Sequence, residues 1–174
     1  MPYDPARHHR RSIRLKGFDY SLPGHYFVTV CVRHFRCVFG EVVADEMRLN
    51  RAGIMVDHAW QALPSRFDTL ELHVWQLMPN HFHAILELEH RTDRDIDLAS
   101  MPTVSGIIGA WKSITTNDYI AGVKTDGWPS FPKRLWQRDF FERIIRNERE
   151  LEYIRNYILN NPRNWMEDRF YPRG

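Results

Sequence analysis

Two histidines flank a single phenylalanine in His81-Phe82-His83, directly after the turn-forming pair Pro79-Asn80. In a strand, successive side chains point to opposite faces, so His81 and His83 share one face and Phe82 takes the other. Two neutral imidazoles on one face are ligands for a single divalent metal ion. The same spacing also arises as a pair of solvated or hydrogen-bonded histidines on an edge strand, and the chain contains nine histidines. A second group must converge on the pair before it has a defined chemistry.

The last helical pattern of the chain supplies one. Leu151, Ile154 and Ile158 form an apolar stripe at i, i+3 and i+7, and Tyr153, Tyr157 and Asn161 follow at successive steps of four on an adjacent face. A tyrosine hydroxyl is a covalent nucleophile, weak at its ordinary pKa of about 10 and in need of activation. A carboxamide oxygen from Asn161, one turn further on, suits Mg²⁺ or Mn²⁺. Taken singly, each has a plainer reading: Tyr157 as a rim tyrosine of an amphipathic helix, Asn161 as a helix-terminal residue before Pro162.

Several elements must position these groups. Residues 71–78 and 82–89 are rich in β-formers and read as the two strands of a hairpin around Pro79-Asn80. Upstream, a turn at 21–24 leads into a strand over 25–32, and residues 33–40 read as a loop. From about Asn50 to Ala62, Ile54, Met55, His58, Ala59 and Leu63 recur at helical spacing, and Pro64 closes the segment. Residues 90–101 are charged and expected to be exposed. Thr103 or Ser105 then caps a helix through Ile107, Ile108, Trp111 and Ile114. A loop with Gly122, Gly127, Pro129 and Pro132 precedes a fourth strand over 136–145. Asn147 caps a final helix over 148–159, with Glu148, Glu150 and Glu152 in its first turns, and Asn160-Asn161-Pro162 ends it. The order predicts an α+β fold, a ferredoxin-like βαββαβ antiparallel sheet with an appended C-terminal helix that carries Tyr157.

Length and composition suit one folded domain: 174 residues, 43% hydrophobic and 26% charged. No apolar run approaches the roughly 20 residues that span a bilayer, and no apolar signal core follows the N-terminal basic residues, so a cytoplasmic protein without membrane partners is expected. Cys31 and Cys37 lack metal or redox spacing and read as reduced. The net charge of +2 is uneven, with +5 over residues 1–36, −6 over 41–99 and +3 over 100–174. Residues 1–20 form a basic arm and 21–174 a single domain. In the arm, Arg7, Arg10, Arg11, Arg14 and Lys16 suit a phosphate backbone or, equally, a solubilising terminus.

The full set of motifs resembles the HUH single-tyrosine transposases of the IS200-like group, most closely the REP-associated tyrosine transposases. Arg10-Arg11-Ser12-Ile13-Arg14-Leu15, Tyr20, Pro23-Gly24 and Tyr26-Phe27-Val28-Thr29 are similar to the start of that family. Met78-Pro79-Asn80-His81-Phe82-His83 is similar to its HUH segment. Trp136-Gln137, Phe141, Tyr157-Ile158 and Asn161-Pro162 are similar to its closing block. The HUH triplet alone is weakly specific; Met-Pro-Asn-His-x-His followed by Tyr-Ile-x-x-Asn-Pro is strongly so.

The resemblance implies that His81 and His83, helped by Asn161, bind Mg²⁺ or Mn²⁺ and that Tyr157 is the nucleophile, with Tyr153 one turn earlier as its rival. It implies nicking and joining of single-stranded DNA at REP-like hairpins through a 5′-phosphotyrosine intermediate. It also implies a monomer, the alternative being a dimer that exchanges the tyrosine helix. Trp111, Trp128 and Trp136 would either pack in the core or stack on bases. Two other functions fit the residues: a non-catalytic single-strand-binding module on a ferredoxin-like sheet, and a metal-dependent hydrolase in which an acidic partner joins His81 and His83.

Overall fold

A computed structural model describes residues 22–89 and 102–173. The arm with Arg7, Arg10, Arg11, Arg14 and Lys16, and the charged stretch 90–101, lie outside the described residues. Along the chain run β1 (Gly24–Cys31), β2 (Gly40–Val43), β3 (Glu46–Leu49), α1 (Arg51–Gln61), β4 (Leu70–Leu77), β5 (His81–Leu88), α2 (Val104–Thr125), β6 (Phe141–Ile144) and α3 (Glu148–Leu159). The main sheet has the order β4-β5-β1-β6, with all neighbours antiparallel. Its four strands and α1 and α2 make the ferredoxin-like βαββαβ arrangement, and α3 is the appended helix.

The two faces of the sheet follow from strand alternation. Tyr26, Val28 and Val30 of β1 and Phe82, Ala84 and Leu86 of β5 are buried toward α1 and α2 in a core that also holds Val56, Trp60, Ile107, Ile108 and Trp111. Phe82 is central: its ring lies 4.7 Å from that of Trp60 and 4.7 Å from that of Trp111. On the other face, Phe27, Ile85 and Ile145 pack with Ile154 and Ile158 of α3. The Asn147 side chain accepts from Glu150 N and starts α3 where the sequence placed it.

Four local expectations are corrected. β2 and β3 form a separate hairpin that the sequence reading did not include. α1 has its predicted place but buries Ala52, Gly53, Val56 and Trp60, leaving Ile54 and His58 exposed. α2, capped by Thr103, continues to Thr125, so Gly122 lies within it; a Cβ there would meet the Trp128 ring at 2.3 Å. The expected strand over 136–145 is paired with β1 only over Phe141–Ile144, and Trp136 contributes one isolated bridge to Val32. Trp111 and Trp136 are buried and so are not available as stacking platforms.

Candidate active site

β5 lies between β4 and β1, with His81 opposite Cys31 and His83 opposite Thr29. That register places both imidazoles on the α3 face, where they are fully buried with ring centroids 4.6 Å apart. Each ring is oriented through its δ nitrogen. His83 Nδ1 is 2.8 Å from Thr29 Oγ1, and His81 Nδ1 is 2.9 Å from Asn80 Oδ1. Asn80 uses its amide nitrogen on the carbonyls of Phe35 and Phe170, at 2.9 and 2.8 Å, so its oxygen accepts from His81 Nδ1–H. Such outer partners set the tautomer and present the ε nitrogens to the site.

Asn161 and Tyr157 meet those ε nitrogens. Asn161 Oδ1 is 3.1 Å from His81 Nε2, and Tyr157 Oη is 3.3 Å from His83 Nε2. α3 is held against the sheet by Ile154 and Ile158, which fixes the phase of Tyr157; its ring also lies 5.2 Å from that of His83. Tyr153, one turn earlier, is 73% exposed, whereas Tyr157 is 39% exposed.

A further carboxylate joins the cluster. Asp168, just after the short turn at Trp165–Glu167, accepts from Asn161 Nδ2 at 3.0 Å and from Phe170 N at 2.7 Å. Ligand atoms of His81, His83 and Asp168 all lie within 4.8 Å of one another. Asp168 follows Pro162 in a stretch without periodicity, and only its negative charge marked it in the sequence. Thr29 was read as a strand residue and Asn80 as a turn residue; their register and position make them the orienting partners.

The electrostatics favour a cation between these groups. Burial holds the His81 pKa down at about 4, against partial compensation from Asp168 and the Asn161 hydrogen bond. Burial, and then the neighbouring His81, push His83 well below the usual imidazole value. Both are neutral at pH 7, so His81 Nε2 carries a lone pair. Asn161 has already committed its amide nitrogen to Asp168, so its oxygen also presents a lone pair. Two acceptors thus face each other at 3.1 Å in a buried site, a mismatch that a bound divalent cation removes. The donor set of two imidazoles, an amide oxygen and a nearby carboxylate fits such an ion. Tyr157 is not activated in this arrangement: burial first, then Asp168, raise its pKa above the ordinary value. Cys31, opposite His81, is buried with its thiol pushed up to about 12, consistent with a packing role.

The fold is an α+β arrangement shared with a REP-associated tyrosine transposase. A solved REP-associated tyrosine transposase bound to a REP hairpin aligns with TM-score 0.57 and 22% identity over 87% of this chain and 74% of that one. A putative transposase from Deinococcus radiodurans aligns with TM-score 0.46 and 17% identity over 84% of this chain and 97% of that one. No family model matches the chain. An uncharacterized protein of Haemophilus influenzae is 33% identical over 175 residues, 97% of each chain, and the chain belongs to the same family as that protein.

Proposed function

We propose that the protein is a metal-dependent single-tyrosine transposase or endonuclease that nicks and rejoins single-stranded DNA at REP-like hairpins. The observation that carries the reading is the convergence of Tyr157 Oη, 3.3 Å from His83 Nε2, on a buried group of unshared lone pairs. The solved transposase with this fold holds a REP hairpin, which supports the substrate class. An open basic cavity lined by Lys112, Lys133, Arg134 and Arg138, with no carboxylate in its lining, supports a polyanionic strand.

Mg²⁺ or Mn²⁺ held by His81, His83 and Asn161, with Asp168 at hand, would supply positive charge against the scissile phosphate. The chain's own groups set the rest. Thr29 and Asn80 hold the imidazoles in the ligating tautomer. Phe27, Trp165 and Phe170 flank the histidine rings and limit water. Tyr157 keeps its proton at rest, which guards a nucleophile that has no substrate. In the nicking step its Oη loses that proton and bonds to phosphorus, and the bond from phosphorus to the 3′ oxygen breaks. The leaving 3′ oxygen takes up a proton, so the products are a 5′-phosphotyrosine and a 3′-hydroxyl. The ester linkage is conserved, so reversal joins strands without ATP. One chain supplies every group named, which favours a working monomer.

The test is incubation with labelled single-stranded hairpin DNA and Mn²⁺, read on a denaturing gel. A slowed, covalently labelled protein band is expected from the parent chain and from Tyr153→Phe, and none from Tyr157→Phe. An adduct that persists in Tyr157→Phe and vanishes in Tyr153→Phe would move the nucleophile one turn back.

A second reading has its own observation. Asp168 beside His81 and His83 is the acidic partner that a metal-dependent hydrolase requires. That reading expects metal-dependent DNA cleavage without an adduct, surviving Tyr157→Phe and lost in Asp168→Asn.

A further inference from the structure

A second convergent group lies on the same sheet face as the active site, at the opposite end of β5. His25 Nε2 of β1 is 3.2 Å from Glu87 Oε2 of β5, and His73 Nε2 of β4 is 2.9 Å from the same oxygen. The two imidazole centroids are 4.9 Å apart. All three side chains are partly exposed, at 28%, 22% and 27% for His25, His73 and Glu87. We propose that His25, His73 and Glu87 form a binding site for a borderline transition-metal ion of the Zn²⁺ type, separate from the nucleophile site.

Three observations carry the proposal. The first is donor chemistry: two imidazoles and a carboxylate are a common three-ligand set for Zn²⁺, with water in the fourth position. Both histidines present Nε2, and the ligand atoms lie within 4.8 Å of one another. Donors about 2.0–2.1 Å from a tetrahedral ion stand about 3.4 Å apart, so gaps of 2.9 and 3.2 Å need to open by only tenths of an ångström.

The second observation is backbone geometry. β4 is irregular between Leu72 and Trp75, so that His73 and Val74 both oppose Ile85. A bulge of this kind adds a residue and re-aims a side chain. Val74 packs into the α3-side cluster while His73 reaches Glu87, so the bulge brings the extra side chain to the donor group. Without it, the strand would present one residue on this face where it now presents two.

The third observation is charge. Glu71 and Glu87 are directly opposite on β4 and β5, an arrangement of like charges that disfavours pairing. Among the described residues, the ion-pair partners of Glu87 are His25 and His73, which are neutral unless protonated. A bound dication opposes that charge at neutral pH. Glu87 is four residues from His83 along β5, about 13 Å in an extended strand, so the two groups cannot share one ion. The ion would join β4, β5 and β1 where β1 begins.

The experiment is a titration of the full metal-free chain with Co²⁺, following tetrahedral ligand-field absorption and stoichiometry, together with thermal shifts in Zn²⁺. The parent chain is expected to bind about two equivalents, and His25→Gln/His73→Gln about one, with a smaller Zn²⁺ thermal shift. Glu87→Gln serves as the second variant because it keeps an oxygen acceptor for the histidines while removing the charge. It is expected to lose the same equivalent. The inference does not depend on the proposed nuclease activity, and the Tyr157 adduct formed with Mn²⁺ is expected in both variants. If the parent chain and both variants bind the same number of ions, the group is a hydrogen-bonded trio only and the proposal is overturned. If the parent binds one ion and the variants none, this site stands and it is metal binding at His81 and His83 that fails.

Discussion

The two faces of the central sheet are made by the same strands and obey different rules. Toward α1 and α2, the alternating residues of β4, β5 and β1 are apolar, with the buried Glu142 of β6 opposite Val28 as an exception, and Trp60, Phe82 and Trp111 interlock at centroid distances of 4.7 to 5.3 Å. Toward α3, the apolar contact is a small patch of Phe27, Ile85, Ile145, Ile154 and Ile158, with polar donor groups at either end of β5. One face carries most of the burial that holds the fold. The other gives up part of that burial to buried histidines, an amide and a carboxylate. The polar donor groups lie where the core is thinnest, and stability and activity should therefore separate by face.

The largest expected stability effect is on the α1/α2 face. Trp111→Ala removes a fully buried indole and should destabilise the fold by about 3–5 kcal/mol in guanidinium denaturation. A loss under about 1 kcal/mol would show that this face is not the main core. Next is Ile158→Ala, which removes the buried anchor of α3 at an expected cost of about 2–4 kcal/mol. Its adduct yield should fall further than its folded fraction at the assay temperature, because the helix that carries Tyr157 loses its seat. Equal falls in both would mean that α3 docking and the fold are one cooperative unit.

A smaller effect is expected from acid. An imidazole in the unfolded chain titrates near 6.5, while burial holds that of His81 at about 4. Between those values the unfolded chain binds a proton that the folded chain does not, so stability of the metal-free protein is lost as pH falls from about 6.5 to about 4 and this contribution levels off below. His83 acts in the same direction. Melting temperatures measured in EDTA across this range should fall more steeply for the parent chain than for His81→Gln; parallel curves would refute the assignment. The smallest stability change is expected for Tyr157→Phe, which loses one partly exposed hydroxyl contact worth about 1 kcal/mol or less. Its adduct should nevertheless disappear, the sharpest separation of the two faces.

The order of the main elements, the shared face of His81 and His83, and the shared face of Tyr157 and Asn161 were readable because they rest on strict periodicities, two in β5 and close to four along α3. That the two groups meet followed only from the resemblance to the HUH transposases. The hairpin of β2 and β3 was not readable. Its strands are four residues each and half exposed, and its turn is Ala44-Asp45, with φ of 50° and 64° at residues that do not announce a left-handed turn as Asn-Gly would. The buried face of α1 was misread because Ile54 is apolar yet exposed, while Gly53 packs against Phe39 and Leu49 by virtue of having no side chain. Asp168 escaped for a different reason. It reaches His81 and His83 through the path of the chain after Pro162, a tertiary fact with no local pattern.

The placement of β5 sets a limit on how this gene product can change. The strand is paired along both edges, and the turn before it is tied down by Val32 N and Val38 N on the carbonyls of Asn80 and Pro79. A one-residue insertion or deletion within it therefore has no slack to be absorbed in and would exchange its two faces, sending Phe82 and Leu86 toward α3 and the histidines into the tryptophan core. Point substitutions degrade this strand by degrees, whereas a change in its length by a single codon would remove the histidine pair and the core packing together.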